Sequence, residues 1–229
     1  DECIGINSQL ELSIAERTFQ YNFRERLMAS GVSMQSPETC FFSYDTIIKS
    51  GCIIEPNVFF GTGVKIQSST IIKSYSYIEG THIGKHCQIG PFARLRPGTN
   101  LLEEVKIGNF VEVKNTTLAS KAKANHLTYI GDAKVGAHTN IGAGTIFCNY
   151  DGKNKHRSVV GDNVFIGSNA SLIAPLKIGD ASIVAAGSVI NRDVPSESLA
   201  IARPLQQNKL GLGKKIMLKL LKVADKIRK

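Results

Sequence analysis

Apolar side chains recur at every sixth position through most of the chain, in two runs separated by an irregular stretch. The first run steps once by five residues, from Ile78 to Ile83. A spacing of six fits neither an α-helix, with about 3.6 residues per turn, nor a single strand, in which side chains alternate. It predicts a chain that turns a corner every six residues, a parallel β-helix of hexapeptide repeats with these side chains inside. The positions, called the ladder below, are Ile48, Ile54, Phe60, Ile66, Ile72, Ile78, Ile83, Ile89, Leu95, Leu101, Ile107 and Val113, then Val160, Ile166, Leu172, Ile178, Val184 and Ile190.

The positions that follow each ladder residue support the same architecture. Glycine often comes directly after it, as at Ile166-Gly167, and an apolar or small residue comes four positions later, as at Val164 and Ser182. Glycine permits a sharp turn, and each coil buries its interior only against the coils above and below. We therefore expect an all-β solenoid over residues 46–194.

The segments on either side of the solenoid have different patterns. Ser13 and Glu16 have capping-box spacing, and apolar residues then recur every four positions, which predicts a helix at 14–30 within a linker and lead-in segment, 13–45. After Pro195 the chain forms an extension, 195–229, whose last part has apolar and lysine residues on separate stripes. This pattern predicts a basic amphipathic helix at 212–229. The helical apolar residues are Phe19, Phe23 and Leu27, then Ile216, Leu220, Val223 and Ile227, and the lysine stripe is Lys215, Lys219, Lys222, Lys226 and Lys229.

The ladder is interrupted twice. After Val113 and Ala119 the next position would be the polar Asn125, which precedes His126, and the ladder restarts at Ile130. The second interruption takes thirteen residues from Phe147 to the next ladder position and contains the polar, basic segment CNYDGKNKHRS. Insertions in a solenoid map to surface loops, where function concentrates. We expect chemistry at both interruptions and a phosphorylated ligand at the basic segment.

Charge and cysteine content narrow the functional classes. Residues 208–229 contain eight Lys or Arg and one Asp, so seven of the nine net positive charges lie in the tail, and we expect no nucleic-acid partner for the body of the chain. We predict that the tail helix packs on the protein's own oligomer, with peripheral contact to an anionic membrane or RNA as the alternative. Five scattered cysteines, Cys3, Cys40, Cys52, Cys87 and Cys148, indicate reduced thiols. With no signal sequence or membrane span, they favour a cytoplasmic protein.

The pattern of the remaining histidines favours exposed surface positions over metal binding or catalysis. His82 and His86 are four residues apart, which would suit a metal on a helix, but in a solenoid they lie on successive turns. We expect these two, with His138 and His156, to be exposed. His126 alone is equally compatible with a structural or a catalytic role, and its place at an interruption favours catalysis.

Five segments make the pattern specific: IGPFARLRPG (89–98), IGNFVEVKN (107–115), NHLTYIGD (125–132), NIGAGTIFCNYDG (140–152) and FIGSNASLIAP (165–175). Together they closely resemble the acetyltransferase domain of the bacterial bifunctional glucosamine-1-phosphate acetyltransferase / N-acetylglucosamine-1-phosphate uridyltransferase family. The resemblance covers nearly the whole chain. It implies a left-handed β-helix and a homotrimer with active sites between neighbouring subunits. It also implies acetyl transfer from acetyl-CoA to the 2-amino group of glucosamine 1-phosphate.

The resemblance assigns roles to individual residues. The histidine of the HLTY motif, His126, is the implied general base, because a neutral imidazole can take the amine proton at cellular pH, and Glu112 is the implied carboxylate that orients it. Arg96, Lys114, Tyr129, Asn140 and Lys155 are implied contacts of the sugar phosphate, where guanidinium and ammonium groups suit the phosphate charge. The implied acetyl-CoA contacts are Ala143, Asn149, Tyr150, Ser168, Ala186 and Arg203.

Residues 1–12 resemble the end of the family's uridyltransferase domain, in which an asparagine, here Asn7, helps to hold Mg²⁺. The nucleotide-binding loop of that domain does not occur in this sequence, so we expect the uridyltransferase activity to reside outside it. Two alternatives stay open. One is a hexapeptide acyltransferase with another acceptor, such as serine, a nucleotide sugar or acyl-carrier protein. The other is a trimeric scaffold or anchor without activity. A carbonic anhydrase would need three converging histidines and is disfavoured.

Overall fold

Three parallel sheets form the faces of a triangular prism of about nine coils. The computed structural model describes residues 5–227, apart from the side chains of 222 and 224–227. The fold is the left-handed parallel β-helix that the resemblance implied. Two helices flank it, α1 (Gln9–Ala29) and α2 (Leu212–Ile227), and a short 3₁₀ helix covers Pro37–Thr39.

Each sheet takes one short strand from each coil. Sheet A contains, in order, β1 (Ser33–Met34), β4 (Ile53–Ile54), β7 (Ile71–Ile72), β10 (Gln88–Ile89), β13 (Lys106–Asn109), β16 (Lys123–His126), β19 (Asn140–Ile141), β22 (Phe165–Ile166), β25 (Ile183–Val184) and β27 (Leu199–Ala200). Sheet B contains β2 (Phe41–Phe42), β5 (Phe59–Phe60), β8 (Tyr77–Ile78), β11 (Arg94–Leu95), β14 (Glu112–Lys114), β17 (Tyr129–Gly131), β20 (Ile146–Cys148), β23 (Ser171–Ile173) and β26 (Val189–Ile190). Sheet C contains β3 (Ile47–Ile48), β6 (Lys65–Ile66), β9 (Thr81–Ile83), β12 (Thr99–Leu101), β15 (Thr117–Leu118), β18 (Ala133–Val135), β21 (Ser158–Val160) and β24 (Leu176–Ile178).

The ladder forms the core, as predicted. Every ladder residue is buried, with at most 6% of its surface exposed. The residues four positions later are buried as well, except on the two five-residue sides, where His82 is exposed and Thr117 is half-buried. Each fully buried aliphatic side chain contributes roughly 1.5–3 kcal/mol. The strands extend beyond the expected solenoid of 46–194 at both ends, because β1 pairs with β4 and β27 pairs with β25.

The first predicted interruption is wrong in its details. After Val113 the ladder takes a step of five to Leu118 and then continues through Ala124 to Ile130, and all three residues are fully buried. No interior position is missing beside His126, because a coil with one five-residue side still closes the triangle, and Ala124 occupies the interior position of strand β16. The second interruption is confirmed, since β20 and β21 are joined by a loop of nine residues, 149–157.

Helix α1 covers the first coil of the prism. It begins at Gln9, earlier than the predicted residue 14, because Ser8 and not Ser13 accepts the hydrogen bond from the N–H of Glu11. As expected, Phe23 and Leu27 are buried, and Phe23 stacks on Phe42 with ring centroids 5.4 Å apart. The amide of the buried Gln20 donates to the carbonyl of Phe42 (2.7 Å) and accepts from its N–H (3.0 Å), which satisfies the open edge of sheet B.

The tail forms the predicted helix, α2, through residue 227. Its apolar residues with described side chains, among them Ile216, Leu220 and Val223, are about half exposed. The side chains of Lys222, Lys226 and Ile227, and the whole of Arg228 and Lys229, lie outside the described residues, as does Cys3. In the part of the chain described, no helix is both long and apolar enough to cross a membrane.

Candidate active site

A column of residues runs along the corner between sheets A and B, parallel to the prism axis. The sheet register aligns Ile107, Ala124, Ile141, Ile166 and Val184 in successive coils. Residues two positions after these therefore share the corner at steps of about 4.8 Å. They are Asn109, His126, Ala143, Ser168 and Ala186. The implied base and three of the implied acetyl-CoA contacts thus lie in one line, although 60 positions separate His126 from Ala186 in the sequence.

His126 is exposed at the end of β16, and its imidazole Nδ1 lies 2.6 Å from the side-chain oxygen of Asn109 on the coil above. An oxygen only accepts, so this contact places the proton on Nδ1 and leaves the lone pair of Nε2 free to take a proton. The resemblance implied Glu112 as the orienting group. Among the described residues, however, no hydrogen bond or ion pair joins Glu112 to His126, and Asn109 makes the orienting contact.

Glu112 instead pairs with arginines on the outward face of sheet B. Its Oε1 lies 2.8 Å from Arg96 Nη1, and its Oε2 lies 3.9 Å from Arg94 Nη1. Tyr129 is in register with Glu112 on the next coil. This face begins at the His126 corner and ends at the corner between sheets B and C, so Glu112 holds the guanidinium of Arg96 between the two. A catalytic role for Glu112 stays a prediction.

Positive charge gathers at the far end of this face. Lys114 follows Glu112 on β14, and the ammonium of Lys155 beside it, together with partial burial, lowers the pKa of Lys114. Arg96 acts in the same direction and Asp132 opposes it. Two cations held this close are a candidate anion site, because a bound phosphate would relieve their repulsion. The structure therefore brings together three of the five implied sugar-phosphate contacts, Arg96, Lys114 and Lys155.

The loop 149–157 is held by its own hydrogen bonds. Asp151 accepts from the N–H groups of Lys153 (2.8 Å) and Asn154 (2.6 Å), and its Oδ2 lies 2.6 Å from His156 Nε2. The Asn154 N–H most of all, then His156 and the Lys153 N–H, lower the pKa of Asp151. His156, expected to be exposed, is therefore half-buried. This arrangement fixes the loop that carries Lys155.

The side chain of Asn149, at the start of the same loop, is 5% exposed. Its Nδ2 donates to Asp132 Oδ2 (2.5 Å) and approaches the Tyr129 hydroxyl (3.4 Å). Asp132 also accepts from Asn115 Nδ2 (2.6 Å). Burial alone would raise the pKa of Asp132, but these two amides and the charges of Lys114 and Lys155 lower it. Asn149, an implied acetyl-CoA contact, thus joins Tyr129, an implied sugar-phosphate contact, to this carboxylate.

Three implied residues lie apart from this cluster. Asn140 faces outward from sheet A, in a groove of about 580 Å³ that also contains Lys106 and Lys123. Tyr150 is exposed at 59%, and its hydroxyl donates to the Gly152 carbonyl. Arg203 follows the last strand and donates from Nη1 to the carbonyl of Ala186 (3.0 Å), which brings it to the end of the corner column.

Two residues of the site were not identified from the sequence, Asn109 and Asp132. Each stands two positions after a ladder residue, which places its side chain at a corner of the prism. This position within the repeat is the signal that could have indicated them. Asn7, the implied magnesium ligand, is exposed before α1, and its N–H donates to Glu11 Oε2.

Comparison with known proteins supports the resemblance stated from the motifs. The model "Bacterial transferase hexapeptide (six repeats)" matches residues 157–192. The chain is 52% identical to the bifunctional protein GlmU of Bartonella quintana over 96% of its length and 49% of the relative. It is 56% identical to that of Sphingopyxis alaskensis over 90% of its length and 46% of the relative. The chain therefore spans about half the length of the curated relatives that it matches.

Among solved structures, the chain is similar to Arabidopsis UDP-N-acetylglucosamine acyltransferase, with a TM-score of 0.66 and 18% identity over 80% of this chain and 70% of that one. At this identity the likeness supports the fold alone. The fold and the GlmU-like sequence thus rest on separate comparisons.

Proposed function

We propose that this chain is the acetyltransferase part of a GlmU-type bifunctional enzyme and transfers acetyl from acetyl-CoA to the 2-amino group of glucosamine 1-phosphate. The observation that carries the proposal is the placement of His126. Its free Nε2 lies between a corner column of small residues and a face that ends in three cations. The column suits a long, thin cosubstrate, and the cations suit a phosphate.

The reaction follows from these positions. The cations bind the phosphate of the sugar, which presents its neutral amine near His126. The amine nitrogen attacks the thioester carbon, a C–N bond forms, and the C–S bond breaks as CoA leaves. Nε2 takes the proton from the attacking nitrogen and can return it to the departing thiolate. Because Asn109 holds the proton on Nδ1, the imidazole is already the tautomer that can accept at Nε2.

The exposed surfaces support a homotrimer. Sheet B presents Phe41, Phe59 and Tyr77, each 42–45% exposed, and sheet A presents Phe165 and Leu199, at 51% and 60%. The outward side chains of sheet C are mostly polar. The faces of sheets A and B carry exposed apolar side chains towards their ends, with polar residues such as Lys106 and Arg94 between them, and such faces fit a prism that contacts two copies of itself.

The corner between sheets A and B supports the same assembly. Tyr75, Phe92 and Phe110 stack there with ring centroids 5.0 and 5.2 Å apart, directly beside the His126 column. All three have φ between 55° and 61°, a region that bulky residues rarely adopt. A neighbouring subunit seated on this ridge would supply the Asn140 that faces away from the site in its own chain. Sedimentation should give three times the 24.8 kDa chain mass, and Phe92→Asp should reduce it.

The decisive assay is release of the CoA thiol with glucosamine 1-phosphate, glucosamine 6-phosphate or serine as acceptor. We expect turnover with the first. His126→Ala should lower kcat by at least about 10²-fold with the assembly intact. His82→Ala is the matched control, an exposed histidine on the outward face of sheet C. Near-wild-type turnover by His126→Ala would overturn the assignment. Preference for another acceptor would favour a different hexapeptide acyltransferase, and no turnover would favour a scaffold.

The whole protein's second activity, nucleotidyl transfer, is assigned to residues outside this sequence. Asn7 would add one oxygen ligand to a Mg²⁺ site there. Three buried free cysteines, Cys40, Cys52 and Cys87, support a cytoplasmic setting, since reduced thiols persist there.

For the tail we propose peripheral contact with an anionic membrane, which is the alternative to the packing on the oligomer predicted from the sequence. Its helix exposes apolar side chains along one side with lysines beside them, and the tail holds most of the net charge. The full chain should sediment with phosphatidylglycerol vesicles and not with phosphatidylcholine vesicles, and the chain ending at 207 should sediment with neither. Equal behaviour of the two chains would favour packing of the helix on the oligomer.

A further inference from the structure

We propose that Asp132 is a positioning residue that fixes the side-chain amide of Asn149 with its oxygen facing the substrates. The inference rests on the proposed function and concerns the same site. It identifies Asn149 Oδ1 as an acceptor for an N–H group of one of the two substrates.

The geometry leaves Asn149 one orientation. An ionised carboxylate can only accept hydrogen bonds, so the group of Asn149 that meets Asp132 at 2.5 Å must be the NH₂. The same nitrogen faces the Tyr129 hydroxyl at 3.4 Å. The two donors of the amide are thereby directed into the protein. Its oxygen accepts no hydrogen bond from the described residues and keeps that capacity for a ligand.

Asp132 is itself held from several sides. Its Oδ1 accepts from Asn115 (2.6 Å), its N–H donates to the carbonyl of Lys114 (3.1 Å), and its carbonyl accepts from the N–H of Ser158 (3.2 Å). Its φ of 50° is in the left-handed region, which Asp and Asn tolerate. The charged groups around it are Lys114 and Lys155, which favour the carboxylate form. The Asp132 carboxylate is therefore held in place, can only accept hydrogen bonds, and sets the direction of the Asn149 amide.

Asp132 also lies behind the anion site. Its charge offsets the repulsion between Lys114 and Lys155. Loss of this charge alone would strengthen the local positive potential and improve binding of a bare anion. Loss of the amide orientation would instead weaken catalysis. The two effects have opposite signs, so they can be separated by experiment.

The test compares Asp132→Asn, Asn149→Asp and the reciprocal double variant with the wild type. In Asp132→Asn the new amide can present its NH₂, so Asn149 is free to turn its oxygen inward, and kcat/KM should fall about 10-fold or more. The double variant places a carboxylate at 149 that accepts from the amide at 132 and still presents an oxygen to the substrates. It also restores the local charge, so it should recover at least part of the loss.

The kinetic readout identifies the N–H group that the oxygen accepts. A rise in KM for acetyl-CoA identifies an amide of the cosubstrate, whereas a fall in kcat or a rise in KM for glucosamine 1-phosphate identifies the sugar amine. Asp180→Asn is the matched control. It removes the same charge from an aspartate on a different corner of the prism, whose carboxylate accepts the backbone N–H of Asp162 at 2.8 Å and, among the described residues, holds no side-chain amide.

Binding experiments separate this proposal from the proposed function. Calorimetric binding of inorganic phosphate to Asp132→Asn should be as tight as to the wild type or tighter, even though turnover has fallen. If the wild type shows no acetyl transfer, the proposed function fails. If the wild type is active and Asp132→Asn matches it, or the double variant is no better than the worse single variant, the positioning role is overturned.

Discussion

The most direct test of the site concerns Asn109, the residue that contacts the imidazole of His126. Asn109→Ala removes the oxygen that lies 2.6 Å from His126 Nδ1. The backbone contact between the two coils remains, because the carbonyl of Asn109 still accepts from the N–H of Leu127 (3.0 Å). The substitution therefore affects the tautomer and orientation of the imidazole more than the fold.

The expected magnitude follows from this single contact. A hydrogen bond between neutral groups contributes about 0.5–1.5 kcal/mol net, which corresponds to roughly a 2- to 12-fold loss of kcat/KM. The loss should appear in kcat, because the orientation of the base matters for proton transfer and not for binding. Both groups are partly solvated, so the lower half of the range is expected.

A second substitution at the same position gives an independent readout. Asn109→Asp keeps an acceptor opposite Nδ1 and adds a negative charge, which favours the protonated imidazole. The acid limb of the kcat/KM profile against pH should then lie at higher pH in Asn109→Asp than in the wild type. Glu112→Gln, which weakens the pair with Arg96, should mainly raise KM for glucosamine 1-phosphate.

The assay is initial-rate thiol release across pH 5.5–9, with thermal unfolding as a control for folding. Unchanged kcat in Asn109→Ala, together with a displaced acid limb in Glu112→Gln, would refute the reasoning. In that case the carboxylate predicted from the sequence would orient His126 in the working enzyme.

Three further predictions follow from other contacts. A Cβ at Gly131 would meet the Tyr129 hydroxyl and, at 2.7 Å, Asn149 Nδ2. Gly131→Ala should therefore impair turnover while the melting temperature changes little. Normal turnover with a large fall in melting temperature would contradict this prediction. Asp151→Asn should loosen the basic loop and raise KM for glucosamine 1-phosphate. The pKa of Asp151 is depressed. The stability that its carboxylate gives the loop is therefore present above about 3.9, the pKa in the unfolded chain, and is lost only as pH falls through the lower pKa of the folded state. Limited proteolysis of the wild type at pH 5 and at pH 7.5 should thus show equal protection of the loop. Burial raises the pKa of Cys87 to about 11, so dithionitrobenzoate at pH 8 should modify it only after denaturation, and rapid labelling in the native state would show that the coil opens.

The sequence predicted the fold well because the six-residue period reflects a local requirement. Each coil needs one apolar side chain per side to fill the prism, so the period is visible without knowledge of contacts between distant residues. The prediction failed near His126, where Leu118 and Ala124 were not recognised as interior residues. The side that leads to Leu118 has five residues, and the interior residue of the next side is the small Ala124. A strict count of six therefore misses both residues.

The site was predicted less completely, for a physical reason. Lys114 and His126 were proposed because the resemblance assigns them roles. Asn109 and Asp132 lie in the same motif segments but act through side chains one coil away, so the motifs did not single them out. Stacking of coils brings residues 17 positions apart into contact, as for Asn109 and His126. Coils of 17, 18 and 25 residues all occur, as from Ile107 to Ala124, Ile89 to Ile107 and Ile141 to Ile166, so sequence distance alone does not identify such partners.

By itself the sequence determined the solenoid and its core, because a repeat that buries one side chain per side of the prism leaves its period in the chain. The roles of the motif residues stay predictions. The tertiary structure decided which polar groups meet. The register of successive coils pairs Asn109 with His126, Glu112 with Arg96, and Asp132 with Asn149. Hydrogen bonds and ion pairs depend on distances of about 3 Å across coils, and only the stacked register fixes those distances.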